Sequence, residues 1–283
     1  MVNALLDRLL DRRGHLASRS LLALLLLGLL LLPIYWLILQ SFKTVKDQML
    51  GHAFWLTEPT LDWYGSALTD TDFWRWSGNT AIVTILVLSL TLVSSLLAGY
   101  ALSRLRPPGY RWIARLLLVS YVVPQSLLFL PLFQQVTFLH LSDTYWSLVL
   151  TYPMQTIPFC SWLFLGYFNE LGADFEGAAA VDGASPAQAF LRVLVPMAGP
   201  VIVAATVFTI GVVASEFLYA SVFITHGVNQ TLAAGMGLAG VDPDEVGGIM
   251  AGVVLAALPV VALTVALAPA YVRGLTAAML EGA

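Results

Sequence analysis

Between Thr80 and Leu102 the chain reads TAIVTILVLSLTLVSSLLAGYAL, 23 residues without one charged side chain. A helix rises 1.5 Å per residue, so about 20 such residues reach across the roughly 30 Å hydrocarbon core of a bilayer. In lipid a helix satisfies every backbone N–H and C=O within its own segment. Apolar runs of similar length predict further spans at Leu21–Leu39, Ile113–Phe133, Tyr145–Leu165, Val201–Phe223 and Ile249–Tyr271. The run Tyr145–Leu165 is the least uniform, interrupted by Thr151, Gln155, Thr156 and two prolines. The predicted fold class is an all-α integral membrane protein with about six transmembrane helices.

Composition agrees. Apolar residues make up 59% of the chain and charged residues 11%, against roughly a quarter charged in soluble domains. Lys43 and Lys46 are the only lysines and the formal charge is −4, so no basic surface offers itself to nucleic acid. Cys160 is the only cysteine, which excludes an intrachain disulfide and a cysteine-pair metal site. His15, His52, His140 and His226 are scattered, and no catalytic cluster assembles. Neither lysine follows a glycine, so the chain lacks the Gly-Lys-Ser/Thr turn of a phosphate-binding loop. No metal or cofactor is expected in this chain, and no enzymatic activity.

Arg8, Arg12, Arg13, Arg19, Arg104, Arg106, Arg111, Arg115, Arg192 and Arg273 all fall on one side of the predicted spans. The other side carries Lys43, Lys46 and Arg75 among many acids, including Asp143, Asp242, Asp244 and Glu245. The positive-inside rule places both termini in the cytoplasm. The run at Leu21–Leu39 follows arginines like a signal peptide, but no small-x-small cleavage site follows it, so it reads as a retained anchor. Leu5, Leu6, Leu9 and Leu10 beside Arg8, Arg12 and Arg13 have the spacing of an interfacial amphipathic helix. The expected organisation is residues 1–40 as amphipathic segment and first span, 41–78 as an extracytoplasmic loop, 79–276 as a five-helix core and 277–283 as a cytoplasmic tail.

Most connections are short, yet Asn169 to Pro200 separates the fourth and fifth spans on the cytoplasmic side. Asp174 caps a predicted helix through Val181 that stops near Gly183. Ser185 as cap, Pro186 at the first helical position and Gln188 three residues after the cap open a second helix, which Pro196 is expected to end. The pair bends about Gly183. Its small surface of Gly177, Ala178, Ala179 and Ala180 would let another backbone approach closely, as in a docking element; an ordinary interfacial loop fits the same residues.

Glu176 to Ser185, followed by Val193-Leu194-Val195-Pro196, resembles the EAA loop of permeases from binding-protein-dependent ABC importers. Ala178, Ala179, Gly183, Val193, Val195 and Pro196 hold the family spacing, and Asp182 and Ala184 flank the glycine. Pro158-Phe159, Asn79-Thr80, the stretch Ala98 to Arg104 and Tyr271 to Thr276 are similar to the maltose-type carbohydrate branch, so the resemblance covers about residues 79–276. In two places the chain departs from the pattern. Gly177 stands where the family has glutamate, with Glu176 one residue early, and Ala214-Ser215 precede Glu216-Phe217 where the branch often has Trp-Asn.

The resemblance implies half of a two-permease pore in a bacterial or archaeal plasma (inner) membrane, handling a carbohydrate or polyol. It implies as partners a second permease, two ATPase subunits that bind ATP and Mg, and an extracytoplasmic solute-binding protein. Glu176, Gly177, Ala178, Ala179, Asp182, Gly183 and Ala184 with Val193, Val195 and Pro196 would then couple to the ATPase. The segment Thr225–Gly247, with Gly227, Gly235, Gly237 and Gly240, reads as a long flexible loop that would reach the binding protein. Glu216 is an acid inside a span, where a charge usually faces a cavity or a partner. Gln125, Ser147, Thr151, Tyr152, Gln155 and Thr156 could hydrogen-bond a polyol, and interhelical hydrogen bonds account for the same groups. The alternative, a stand-alone ion-coupled transporter, usually carries internal repeats and several intramembrane charges. No convincing repeat is seen here, and Glu216 is the one such acid.

Overall fold

The computed structural model describes residues 2–172, 174–238 and 246–281, with side chains over 20–172, 174–238 and 246–269. Helix α1 (Val2–Ser41) is continuous, so the predicted amphipathic segment and first span share one backbone helix. Short helices α2 (Val45–Met49) and α3 (Asp62–Thr69) follow. Next come α4 (Phe73–Leu105), α5 (Tyr110–Val122), α6 (Gln125–Phe138) and α7 (Tyr145–Glu170). The chain continues through α8 (Asp174–Val181), α9 (Pro186–Met197), α10 (Gly199–Ser215), α11 (Leu218–Phe223), α12 (Leu232–Leu238) and α13 (Val246–Glu281).

Among the described residues four helices are long and apolar enough to cross a membrane: Ser20–Ser41 within α1, α4, α7, and Val246–Pro269 within α13. The other two predicted spans fall in bent helix pairs, which bring the number of candidate spans among the described residues to six if each pair counts as one. Helices α5 and α6 meet at 96°. Pro124 excludes the helical region for the residue before it, and Val123 is extended at φ −65° and ψ 122°. The predicted span Val201–Phe223 is also divided. Helix α10 ends at Ser215, Glu216 is extended, and α11 restarts at Leu218. Helices α9 and α10 are bent by 71° about Ala198, so Pro196 does not end the helix as expected; the turn runs to Met197.

The chain divides into two compact units, Met1–Asp70 with Gly240–Val254, and Thr71–Ala239 with Leu255–Ala283. In the first, the predicted loop after residue 40 is folded. The buried Asp47 carboxylate accepts from the Thr57 hydroxyl and from the backbone N–H groups of Thr57 at 3.0 Å and Glu58 at 3.1 Å. These bonds, led by the Thr57 hydroxyl, hold its pKa at about 2. Lys43 is buried and donates to the His52 carbonyl.

In the second unit α4 packs along α7. Its buried face is Val83, Val87, Thr91, Ser95 and Gly99, one residue every four, tapering from branched to bare. Between lipid-facing helices association rests on close packing and interhelical hydrogen bonds. The taper permits both: the Thr91 and Thr156 hydroxyls lie 2.6 Å apart, and a Cβ at Gly99 would fall 2.6 Å from Phe164 Cβ. One apolar cluster gathers Val83, Val87, Leu148, Tyr152, Val213 and Phe223. A second gathers Cys160, Phe164, Phe168, Phe190, Leu194 and Ala205.

Candidate functional site

The helix pair expected between residues 169 and 200 is present. Helix α8 stops in a Schellman turn: Gly183 N donates to Ala180 O at 3.0 Å and Ala184 N to Ala179 O at 2.9 Å. The turn requires a left-handed residue, and Gly183 supplies it at φ +83°. Helix α9 opens with the expected capping box, in which the Gln188 N–H donates to Ser185 Oγ and the Ser185 N–H to Gln188 Oε1. Gly177, Ala178, Asp182, Gly183 and Pro196 are exposed, and Ala179, Ala184, Val193 and Val195 are half-buried. Phe175, Val181 and Leu191 also stand exposed, Val181 at 88%, while Phe190 and Leu194 anchor the pair in the second apolar cluster. The pair is therefore a bent element with an apolar and small-residue face left uncovered.

Glu176 turns away from that face. Its carboxylate accepts from Arg104 Nε at 2.5 Å. The same guanidinium donates to the carbonyls of Phe168 at 2.7 Å and Leu171 at 2.5 Å. Carbonyls in the last turn of a helix have no partner within it. Arg104, at the end of α4, thus closes the end of α7 and holds the start of α8 with one planar fork. Sequence reasoning placed Arg104 only as a topological charge, because its four partners, Phe168, Leu171, Gly172 and Glu176, lie 64 to 72 residues away.

The polar residues proposed for a pathway separate into two groups. Gln125, Thr151 and Gln155 line one cavity of about 350 Å³ beside the α5–α6 bend, together with Ser120, Tyr121 and Tyr219. Ser147, Tyr152 and Glu216 do not line it. Ser147 Oγ donates to Thr144 O at 2.7 Å, and Thr156 is held by Thr91. The Glu216 carboxylate accepts from Tyr152 Oη at 2.8 Å, Tyr219 N at 2.9 Å and Ala220 N at 3.1 Å. It caps the restart of the chain at α11, where a negative charge meets free N–H groups. Sequence reasoning missed Ser120, Tyr121 and Tyr219: the two tyrosines, inside predicted spans, read as packing, and no local signal marked Ser120.

Because Glu216 sets the start of α11 and hence Tyr219, Glu216→Gln presents an amide NH₂ to one of three donors. Uptake is expected to fall several-fold at normal complex yield. Uptake and yield measured together check this, and normal uptake would show that the break needs no carboxylate.

The segment after residue 223 corrects the expectation of a long flexible loop over its described part, 225–238. Asp143 accepts from the N–H groups of Thr225 at 2.6 Å and His226 at 2.9 Å, and from Thr225 Oγ1 at 2.9 Å. Burial alone would raise the Asp143 pKa, but these bonds and the His226 side chain at 3.0 Å bring it down to about 2. Trp76 Nε1 donates to Gly227 O at 2.9 Å, and Asn79 Nδ2 to the carbonyls of Val228 and Gln230, both at 2.8 Å. Helix α12 is buried through Leu232, Ala234, Gly235 and Met236. Gly235 has no room for a side chain, since a Cβ there would enter the Trp76 indole, and one at Gly237 would meet the Phe217 ring. Gly240 lies outside the described residues, as do Asp242, Asp244 and Glu245. Asn79 and Trp76 are the organising side chains of this segment, and sequence reading assigned neither a role.

Comparison with known proteins gives concordant matches. A family model described as "Binding-protein-dependent transport system inner membrane component" matches residues 91–276. The chain is 30% identical to an inner membrane ABC transporter permease protein of Escherichia coli (strain K12), over 89% of this chain and 91% of that protein. It is 31% identical to a sulfoquinovosyl glycerol transport system permease protein of Agrobacterium fabrum, over 89% of each. A trehalose/maltose transport system permease protein of Thermococcus litoralis is 30% identical over 92% of this chain and 95% of its own length. The crystal structure of a bacterial ABC transporter involved in the import of the acidic polysaccharide alginate contains a chain of the same fold. Its TM-score is 0.74 at 22% identity, covering 92% of this chain and 97% of that one.

Proposed function

The chain belongs to the family of binding-protein-dependent transport system inner membrane components, as a permease subunit of an ATP-binding cassette importer, and from this premise we propose that it forms one half of a pore for a carbohydrate or polyol. It is a permease and not an enzyme; ATP is hydrolysed in partner subunits, and a solute-binding protein belongs to the same system. In this reading the pore is completed by a second permease. Two ATPase subunits, which hold the ATP and Mg, dock on helices α8 and α9. Both termini are cytoplasmic in a bacterial or archaeal inner membrane, and the solute-binding protein docks on the opposite side, to which the cation bias assigns the segment after α11.

One observation carries this assignment: a glycine-bent helix pair seated by Phe190 and Leu194, with Phe175, Val181 and the Gly177–Ala178 surface uncovered. Small exposed residues let a partner backbone approach, and isolated apolar side chains around them supply contact area. The carbohydrate class rests on the relatives named for saccharide-containing solutes.

The test is affinity purification of the tagged chain with its genomic neighbours, followed by uptake in vesicles. Co-purification of an ATPase and a second permease is expected, and transport by the chain alone would overturn the proposal. Orientation is tested separately by single cysteines in a Cys160→Ser background. Arg12→Cys is expected to resist a membrane-impermeant reagent in intact cells and Pro243→Cys to react; the reverse pattern would invert the topology.

A further inference from the structure

A second cavity, of about 500 Å³, lies where three helices end: α4 at Leu105, α5 at Tyr110 and α7 at Glu170. Its polar lining is Arg106, Arg111 and Arg115 with Tyr110 and Asn169, and no carboxylate contributes to it. None of the three arginines forms an ion pair among the described residues. Three like charges around one space repel one another, and an anion placed among them relieves that repulsion.

Two of these guanidinium groups are held through Nε and the third by a ring. Pro107 bars the right-handed helical region at Arg106, which turns left-handed at φ 46° and brings its Nε to the Ser103 carbonyl at 3.0 Å. Arg111 Nε donates to Tyr110 Oη at 3.2 Å, and the Arg115 guanidinium lies 5.2 Å from the centroid of the Trp112 ring. A guanidinium presents five N–H donors in a planar fork. The terminal donors of all three arginines have no acceptor among the described residues. Paired terminal N–H groups match the oxygens of a phosphate.

The surroundings decide which phosphate. The rest of the lining is apolar, through Leu102, Ala114 and Leu165, and Leu105, Trp112 and Leu116 beside it are exposed. A free phosphate would leave that apolar surface unused, whereas a phospholipid sets its phosphodiester on the arginines and its first acyl carbons over the leucines. Helix ends marked by tyrosine and tryptophan lie at headgroup depth, where basic pockets between spans hold lipid headgroups. A zwitterionic headgroup adds an ammonium to three cations with no acid in the lining, and an anionic one does not.

We propose that this cavity binds the phosphate of an anionic phospholipid of the phosphatidylglycerol type, with its acyl chains against the α4–α5–α7 surface. In the orientation proposed above the lipid belongs to the cytoplasmic leaflet, whose anionic surface attracts basic side chains. The inference requires only that the chain spans a membrane, so it stands or falls apart from the carbohydrate reading.

The test is lipid retention by the full-length chain, purified in detergent with its co-purifying partners and titrated with lipid under native mass spectrometry. Wild type is expected to hold its tightest phosphatidylglycerol at least about tenfold more strongly than phosphatidylcholine. Arg106→Gln, Arg111→Gln and Arg115→Gln are each expected to weaken that binding about fivefold, and the triple variant at least about thirtyfold. Arg192→Gln, a cation on the same predicted side but outside the cavity, is expected to leave it unchanged. Millimolar inorganic phosphate is expected not to displace the lipid. Equal retention of phosphatidylcholine, or a triple variant that binds no more weakly than Arg192→Gln, would overturn the inference. Displacement by phosphate would also overturn it and assign the cavity to a free anion. A wild-type complex that retains no phosphatidylglycerol would overturn it in favour of an acidic segment of a partner subunit over the arginines. If the triple variant fails to assemble, the single variants decide the same question. Each of these results leaves the importer reading intact.

Discussion

Gly183→Val is expected to separate ATP hydrolysis from transport. Gly183 sits at φ +83° in the turn that joins α8 to α9. Nothing lies within 4 Å of where its Cβ would be, so the cost comes from backbone conformation alone. An L-residue in the left-handed region costs about 1–2 kcal/mol, and a β-branched side chain tolerates it worst. That energy shifts a local equilibrium by roughly five- to thirtyfold. The bent geometry of the helix pair is disfavoured by that factor, while the spans, which insert by hydropathy, remain in place. Co-purification of the ATPase is expected to weaken and solute-stimulated hydrolysis to fall about tenfold, with Gly183→Ala intermediate. A Gly183→Val complex that keeps both properties would show that this bend is not the coupling element.

Arg104→Ala is expected to have an effect of similar or larger size by a different route. The guanidinium holds the Glu176 carboxylate and the carbonyls of Phe168 and Leu171 together, at side-chain exposures of 14% for Arg104 and 21% for Glu176. Removing it leaves two carbonyls without their donor and leaves the partly buried Glu176 carboxylate, which also bonds the Tyr100 hydroxyl, without its cation. A single unsatisfied buried group costs about 1–3 kcal/mol, and charged groups cost more. Helix α8 then loses its fixed attachment to the ends of α4 and α7. Transport is expected to fall more than tenfold. Arg104→Lys should restore only part, because an ammonium cannot span three acceptors as a planar fork does. Glu176→Gln is expected to be milder, since its amide oxygen still accepts from Nε. Measuring ATPase association and solute moved per ATP in all three variants distinguishes the clamp from general misfolding; wild-type coupling in Arg104→Ala would remove the clamp from the mechanism.

The register of Glu176 gains a physical meaning from this pair. The chain has glycine where the resembling permeases have glutamate, and the carboxylate one residue earlier points about 100° around the helix, as the 3.6-residue repeat requires. That rotation carries it from the exposed face to Arg104. With Gly177 at the family's glutamate position, the exposed surface of Gly177 and Ala178 carries no carboxylate of its own, and in the proposed docking it would contribute shape and close backbone approach.

What the sequence by itself determined are features set by near neighbours. Hydropathy over 18 or more residues determines membrane length, which is why Thr80–Leu102 and Leu21–Leu39 lie within helices long enough to span. The turn at Gly183 and the capping box of Ser185 and Gln188 were legible because each is closed by bonds spanning three to five residues. The breaks at Pro124 and Glu216 escaped the hydropathy reading, since a window average does not register one residue whose backbone leaves the helix. Only the tertiary structure decided which polar groups remain free. Glu216, Ser147 and Thr156 are satisfied within the chain, whereas Gln155 Oε1 is buried without a partner. The segment 225–238 is ordered because Trp76, Asn79 and Thr80, some 150 residues away, meet its backbone groups. A buried polar group must find a partner wherever the fold supplies one, and that partner is determined by packing between distant helices, which local sequence does not encode.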